Sequence, residues 1–182
     1  MNLIHQIKQM KADFAYMLTN SVINRIPAWF IRKRIYQCLG MKIGANSRIG
    51  IGVIITYPKR IIIGDRAIIN EYCFLDGRGK LYIGNNTSIS IYTKLITASH
   101  NLNSDDFSYQ HKPIVIEDYA FVGTGAIVLE GTHIGRGCVI GAGTVAKGLY
   151  DDDKMYIGNP ARFVKKRKCD YSYLLYQNYY FR

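Results

Sequence analysis

The stretch Ile116 to Val145 consists of five hexapeptides joined without interruption. In one-letter code they are IEDYAF, VGTGAI, VLEGTH, IGRGCV and IGAGTV. Each begins with Ile or Val and carries Ala, Thr or Cys at the fifth position. A short fixed period of this kind is typical of a solenoid, in which each repeat stacks on the equivalent repeat of the next coil.

The period has a simple physical meaning in a parallel β-helix with three short strands per coil. About three hexapeptides, roughly 18 residues, then close one coil, and the aliphatic first positions stack inside it at about 4.8 Å. The fifth position lies at a corner and must be small. The same pattern begins at Ile43 and continues to Leu95, with small insertions near Tyr57 and Leu81. We therefore predict an all-β, parallel β-helix of about five coils.

The segments that flank the repeat are different in character. Residues 1–42 lack the hexapeptide pattern and carry apolar residues at helical spacing, with Pro27 dividing them and Gly40 as a stop signal. We predict an N-terminal helical cap over the open end of the solenoid. The alternative is that this basic, amphipathic segment rests on a membrane surface.

The hexapeptide register breaks once inside the predicted β-helix domain of residues 43–165. Residues 101–113 are polar and carry no repeat, which predicts an extruded loop. A loop that the scaffold does not need usually carries function. Residues 166–182 form a basic, tyrosine-rich tail, for which packing against the last coil is the default expectation.

Composition limits the classes of function. The chain of 182 residues suits one domain, and its formal charge of +11 favours anionic partners. The repeat leaves little surface for nucleic acid, so phosphates on a cofactor or substrate are the preferred explanation. No apolar run approaches the roughly 20 residues of a membrane span, and the scattered cysteines indicate reduced thiols. We expect a cytoplasmic protein.

His100 closes one hexapeptide and opens the extruded loop, within the string Thr97-Ala-Ser-His. An imidazole titrates near neutral pH and is a natural general base. The Thr-x-x-His string before a loop resembles the sugar O-acetyltransferases of the galactoside and maltose type. The strings Leu75-Asp-Gly-Arg-Gly and His100-Asn-Leu-Asn-Ser-Asp-Asp-Phe are similar to those of acetyltransferases from capsule and exopolysaccharide gene clusters.

This resemblance to the hexapeptide-repeat acetyltransferases implies a left-handed β-helix and a homotrimer with active sites between subunits. It also implies an O-acetyltransferase that uses acetyl-CoA as co-substrate and acts on a sugar hydroxyl, in the biosynthesis of a bacterial surface polysaccharide. His100 would be the base that deprotonates this hydroxyl. No metal is expected, although the three-histidine zinc site of β-helical carbonic anhydrases is an alternative that the histidine spacing disfavours.

The resemblance also assigns binding roles by position. Asn70, Asp76 and Arg78 are expected to bind the acceptor, with an ion pair that braces a corner as the alternative for Asp76 and Arg78. Phe121 stands where the family has tryptophan, and Lys147 stands where threonine is common. The residues expected to bind acetyl-CoA are Phe121, Gly123, Thr124, Ala142, Lys147, Arg162 and Lys165.

Two other functions fit the same sequence. The first is N-acetylation of an amino group on a nucleotide-linked amino sugar, which the same scaffold and histidine could perform. The second is a non-catalytic β-helix that scaffolds other enzymes at a membrane, with contact through the N-terminal helix. Nothing in the sequence separates oxygen from nitrogen as the nucleophile.

Overall fold

The computed structural model describes residues 3–176. Met1, Asn2 and residues 177–182, which belong to the predicted cap and tail, lie outside the described residues. The chain begins with α1 (Leu3–Ser21) and α2 (Trp29–Cys38), which are joined by a single 3₁₀ turn at Ile23–Arg25. Gly40 follows α2 with a φ of +91°, as expected of a helix stop.

The strands that follow the helices are numbered in chain order and form three parallel sheets and one hairpin. The first sheet contains β1 (Lys42–Ile43), β4 (Ile61–Ile63), β7 (Leu81–Ile83), β12 (Ile114–Ile116), β15 (His133–Ile134) and β18 (Leu149–Tyr150). The second contains β2 (Arg48–Ile49), β5 (Ile68–Ile69), β8 (Ser88–Ile89), β13 (Phe121–Val122), β16 (Val139–Ile140), β19 (Lys154–Ile157) and the antiparallel β20 (Arg162–Lys166). The third contains β3 (Ile54–Thr56), β6 (Phe74–Asp76), β9 (Lys94–Leu95), β14 (Ile127–Val128) and β17 (Val145–Ala146).

Each coil adds one strand to each sheet, in register with the coil before it. In the first sheet, the register aligns Ile43 with Ile63, Ile63 with Ile83 and Ile116 with Ile134. These side chains are buried and belong to one continuous core. The architecture agrees with the expected left-handed β-helix.

The first sheet has six strands, so the solenoid has about six coils rather than the five predicted. The sequence pattern did not predict the sixth coil, because residues 147–157 depart from the hexapeptide pattern. Tyr150 there aligns with Ile134, so an aromatic side chain occupies the line of inward aliphatic residues.

The chain changes sheet at three corners, each of which places residues in the left-handed backbone region. The tail corner joins the first sheet to the second, at Asn46, Arg66, Asn86, Tyr119, Gly137 and Asp153. The glycine corner joins the second to the third, at Gly52, Tyr72, Tyr92, Gly125 and Gly143. The hairpin corner joins the third to the first, at Tyr57, Lys80, Gly131 and Gly148.

The N-terminal helices cover the first coil through polar groups as well as apolar ones. Asn20 of α1 donates to the carbonyl of Ile55 at 2.9 Å and accepts from its amide at 2.8 Å, so one side chain replaces a missing strand at the edge of the third sheet. Arg32 of α2 is fully buried and donates to the carbonyls of Ile49 and Gly50 at 2.9 and 2.7 Å. The cap thus satisfies backbone groups that the first coil would leave without partners.

The extruded segment is more regular than a polar loop. Strands β10 (Ala98–His100) and β11 (Tyr109–His111) pair antiparallel, so part of the predicted loop 101–113 is a strand. The hairpin leaves the solenoid at the hairpin corner, after β9 and before β12. Below, "the hairpin" means residues 98–111.

The C-terminal tail lies along the tail corner instead of over the last coil. Arg167 donates to the carbonyls of Tyr119 and Gly137 at 2.9 and 3.1 Å, and Tyr171 donates to Asp153. Farther along, the amide of Leu175 donates to Asn86 at 3.2 Å. The described part of the tail therefore ties four consecutive coils together.

Two glycines can test the docking of the tail. Gly137→Ala and Gly143→Ala both place an L residue at a φ near +65°, which costs about 1–2 kcal/mol. An added methyl group at Gly137 collides with the Tyr171 hydroxyl, whereas one at Gly143 meets nothing within 4 Å. We expect Gly137→Ala to lower the free energy of unfolding by roughly 1 kcal/mol more than Gly143→Ala, because it breaks the tail's hydrogen bond. Urea unfolding of both variants measures the difference, and equal losses would contradict a docked tail.

Candidate active site

His100 ends β10 and has a defined ring orientation. Its Nδ1 lies 2.8 Å from the carbonyl oxygen of Phe107, and its ring stacks on that of Phe107 with centroids 4.3 Å apart. A carbonyl oxygen can only accept, so Nδ1 carries the hydrogen in the neutral imidazole. The unprotonated nitrogen is then Nε2. This is the tautomer that a general base requires, and the side chain is exposed.

Asp76 and Arg78 form an ion pair at the hairpin corner, one coil before the hairpin. Arg78 donates through Nε and Nη2 to the two oxygens of Asp76, at 2.9 and 3.0 Å. Asp76 is fully buried and also accepts from Thr56 and from the backbone amide of Thr97, both at 2.9 Å. Asp76 therefore fastens the root of the hairpin, and of this pair only Arg78 faces outward.

Arg78 is also part of the wall of a cavity of about 560 Å³ between α1 and the third sheet. This volume lies within the range of small-molecule sites, roughly 300–1,000 Å³. The lining side chains combine aromatic rings with hydrogen-bonding groups, and include Asp13, Tyr16, Tyr57, Lys59 and Phe74. Tyr109 interacts with both Arg78 and His100. It raises the pKa of Arg78, although less than Asp76 does, and its ring centroid lies 5.6 Å from that of His100.

Lys147 and Glu130 form a second ion pair at the hairpin corner, on the other side of the hairpin. The Lys147 Nζ lies 2.6 Å from Glu130 Oε1, which also accepts from the Ser99 hydroxyl at 3.1 Å. Burial raises the pKa of Glu130, but hydrogen bonds from Lys147, the backbone and Ser99 outweigh it and hold the pKa below its usual value. Glu130 is therefore an ionised, buried carboxylate beside the hairpin.

A second group of predicted residues lies at the glycine corner, on the opposite side of the third sheet from the hairpin. Asn70, Gly123, Thr124 and Ala142 all follow strands of the second sheet there. The amide of Gly143 donates to the carbonyl of Thr124 at 2.8 Å, so Thr124 and Ala142 lie on adjacent coils. Added methyl groups at Gly125 and Gly143 meet nothing within 4 Å, so this part of the corner is open to an extended ligand.

The remaining predicted cofactor residues extend this group along the second sheet. Phe121 aligns with Val139, Val139 with Met155, and Met155 with Lys165. Arg162 aligns with Ile157 on the same hairpin of strands. The register thus places Phe121 and Lys165 in one row of the second sheet, with Arg162 on the same last strand, whereas Lys147 lies at the hairpin corner.

The side chains near His100 and at the base of the hairpin were not predicted from the sequence. Phe107 lies in the extruded segment, whose conformation no repeat predicts, and Glu130 occupies an ordinary third position of a hexapeptide. Ser99 and Gln110 join these groups, since the Gln110 amide donates to Ser99 at 3.2 Å. The sequence feature that could have indicated these groups was Glu130, an acidic residue within the most regular repeats.

His133 and the cysteines do not extend this site. His133 pairs with Glu117 at 2.6 Å on the first sheet. Within residues 3–176 there is no group of three or more His, Cys, Asp or Glu side chains that could hold a metal. The four cysteines are free, and burial raises the pKa values of Cys73 and Cys138 to about 12.

Comparison with known proteins identifies the family. The family model described as "Bacterial transferase hexapeptide (six repeats)" matches residues 113–148. The chain is 33% identical over 136 residues to the putative colanic acid biosynthesis acetyltransferase WcaF of Escherichia coli (strain K12), covering 75% of each protein. The chain belongs to the hexapeptide-repeat acetyltransferases.

Two further members of this family are similar over most of the chain. The putative lipopolysaccharide biosynthesis O-acetyl transferase WbbJ of Escherichia coli (strain K12) is 29% identical over 68% of this chain and 70% of its own. The crystal structure of the hexapeptide-repeat acetyltransferase VCA0836 of Vibrio cholerae O1 biovar eltor, complexed with acetyl coenzyme A, superposes with a TM-score of 0.80. It shares 27% identity and covers 88% of this chain and 89% of its own.

The Asp76 carboxylate gives this acetyltransferase a pH-dependent source of stability. Burial raises its pKa, but hydrogen bonds from Arg78, Thr56 and Thr97 outweigh it, so the pKa lies below the ordinary value of 3.8. The stabilisation is complete above pH 3.8 and is lost as the pH falls through the lower, folded-state pKa. We expect Asp76→Asn to lower the free energy of unfolding at neutral pH by about 3 kcal/mol.

The measurement is urea unfolding at neutral and acidic pH. The difference between wild type and Asp76→Asn should shrink as the pH falls through the folded-state pKa. Asp105→Asn, on the exposed turn of the hairpin, is the control and should change little. A pH-independent difference would show that the Asp76 charge is not what fastens the hairpin root.

Proposed function

We propose that this chain transfers the acetyl group of acetyl-CoA to a sugar hydroxyl during biosynthesis of a bacterial surface polysaccharide. The observation that carries the proposal is the hydrogen bond between His100 Nδ1 and the Phe107 carbonyl, which leaves Nε2 as the basic nitrogen. The names of the relatives support it, since they include colanic acid and lipopolysaccharide biosynthesis and O-acetyl transfer.

The reaction needs one base and no covalent enzyme intermediate. His100 Nε2 takes the proton from the acceptor hydroxyl while that oxygen attacks the thioester carbonyl carbon. The tetrahedral intermediate then collapses, the carbon–sulfur bond breaks, and His100 returns the proton to the leaving sulfur. Phe107 keeps the ring in one orientation through both proton transfers, because its carbonyl accepts from Nδ1–H throughout.

The complete site would lie between two subunits of a homotrimer. Within one chain, His100 is at the hairpin corner, whereas Thr124 and Ala142 are at the glycine corner across the third sheet. The open glycine corner fits the extended pantetheine arm of acetyl-CoA, and Arg162 and Lys165 on the adjoining surface fit its phosphates. A neighbouring subunit would bring its glycine corner to this subunit's hairpin.

The cavity beside Arg78 fits the acceptor. Arg78 in its wall interacts with Tyr109, whose ring lies 5.6 Å from that of His100. The aromatic rings of the cavity suit the C–H faces of sugars, while Asp13 and Arg78 suit their hydroxyls. Asn70 would contact the same acceptor from the glycine corner of the neighbouring subunit. Its side chain donates to the Ile89 carbonyl at 2.9 Å, which leaves its oxygen as an acceptor.

We also propose that the protein lies at the cytoplasmic face of a membrane. Neither helix in the described part of the chain is both long and apolar enough to cross a bilayer. However, α1 exposes Met10, Phe14 and Met17, which are 68%, 60% and 54% exposed. We expect this face to contact the membrane peripherally, where lipid-linked acceptors would be presented.

His100→Ala tests the central role. We expect kcat for acetyl transfer to fall by at least about 100-fold, as removal of a general base should cause, with acetyl-CoA binding retained. His111→Ala, an exposed histidine on the same hairpin, is the matched control and should keep most activity. Matched hydroxyl and amino acceptors decide between O- and N-acetylation. Wild-type turnover in His100→Ala would overturn the proposal, and absence of acetyl-CoA binding by wild type would favour a scaffold.

Mixed oligomers test the shared site. Ala142→Trp should block the glycine corner, and His100→Ala removes the base, so each variant alone should be inactive. In randomly mixed oligomers about one site in four combines an intact hairpin with an intact glycine corner from its neighbour. We therefore expect co-expressed variants to recover about a quarter of wild-type activity. No recovery in assembled, mixed oligomers would place the whole site within one chain.

A further inference from the structure

Glu130 is a buried carboxylate that the reaction steps above leave unused. It follows β14 at the hairpin corner, and its side chain is only 5% exposed. Burying an ionised carboxylate is costly unless it is paired and hydrogen-bonded. Its side-chain partners come from the coils on either side, with Ser99 following β9 and Lys147 following β17.

The charge of Glu130 sets the direction of the hydrogen bonds at the base of the hairpin. A carboxylate only accepts, so the Ser99 hydroxyl hydrogen must point to Glu130, 3.1 Å away. The Ser99 oxygen then accepts from the Gln110 amide at 3.2 Å, and this amide also donates to the His100 carbonyl at 3.3 Å. A protonated Glu130 could donate to Ser99 instead and release the serine hydrogen from its fixed direction.

Lys147 is the ion-pair partner that favours the ionised form. Its Nζ lies 2.6 Å from Glu130, and its backbone amide is held by the Tyr150 hydroxyl at 2.9 Å. Other titratable groups near this corner include Tyr150, Lys112, whose stem packs beside Gly131, and His111 and His100 on the hairpin. Without the Lys147 ammonium, burial would be the main influence left on the Glu130 carboxyl.

We infer that Glu130 is a positioning residue for His100 and that Lys147 is its charge partner, so that together they lock the base of the hairpin. This role rests on the proposed function, because it is the general base whose position they hold. It also gives Lys147 a task different from the expected contact with coenzyme A phosphates. The geometry favours the new role, since the Lys147 ammonium is already engaged by Glu130 Oε1 at 2.6 Å.

The experiment compares the pH profiles of kcat for Glu130→Gln, Lys147→Met and the double variant. Glu130→Gln should lower kcat about 10- to 100-fold, the scale of a small misplacement of a catalytic group, with little change in KM for acetyl-CoA. Lys147→Met should move the acid limb of kcat to higher pH, because the Glu130 pKa rises and the carboxylate is protonated earlier as the pH falls. The double variant should lack this shift, since a glutamine side chain does not titrate.

Glu117→Gln is the control, because Glu117 also has a side-chain nitrogen partner at 2.6 Å, His133 Nε2, but on the first sheet, away from the hairpin. Unchanged kcat per folded Glu130→Gln molecule would overturn the inference. So would a Lys147→Met variant with a raised KM for acetyl-CoA and a wild-type pH profile, which would assign Lys147 to the phosphates. Both outcomes are read only where wild-type acetyl transfer is lost in His100→Ala. If His100→Ala keeps wild-type transfer, the proposed function is overturned instead.

Discussion

The parallel register of the inward aliphatic side chains is the constraint on which the rest of the molecule depends. Residues such as Ile63, Ile83, Ile116 and Ile134 must lie on one line along the coils, because only that arrangement buries them and pairs every strand. A segment that does not fit the period can leave only at a corner. The chain uses this freedom once on a large scale, at the hairpin that carries His100.

The hairpin is held by buried acids from the two neighbouring coils. Asp76, from the preceding coil, accepts from the backbone amide of Thr97, and Glu130, from the following coil, accepts from the Ser99 hydroxyl. Each acid has its own cation, Arg78 or Lys147, which offsets the cost of burial. The excursion from the repeat is therefore fixed to the scaffold on both sides of its root, which supports the proposed role of His100 as a positioned base.

The same regularity separates the functional groups. Because equivalent positions stack along the solenoid, most of the predicted cofactor residues collect at the glycine corner and on the second sheet, while His100 and Lys147 lie at the hairpin corner. A single chain therefore presents two groups of predicted site residues that face in different directions, which supports the proposed site between subunits. The described part of the tail, up to residue 176, follows the remaining corner.

The sequence by itself determined the parallel β-helix and the place where the repeat breaks, because a short period of aliphatic and small residues has few other ways to bury its apolar side. It also singled out His100, through motif and position. Only the tertiary structure decided which oxygen orients the ring, that Asp76 is buried against Arg78 and that Lys147 meets Glu130. It also decided that a sixth coil forms without the pattern and that the tail follows a corner. The Lys147–Glu130 pair and the tail contacts join residues that are about one coil or more apart in sequence, and the Phe107 contact and the sixth coil lie in non-periodic segments. The Asp76–Arg78 pair is local, but the burial of Asp76 depends on Thr56 and Thr97, about one coil away on either side. Hydrophobic periodicity carries no information about any of these polar contacts.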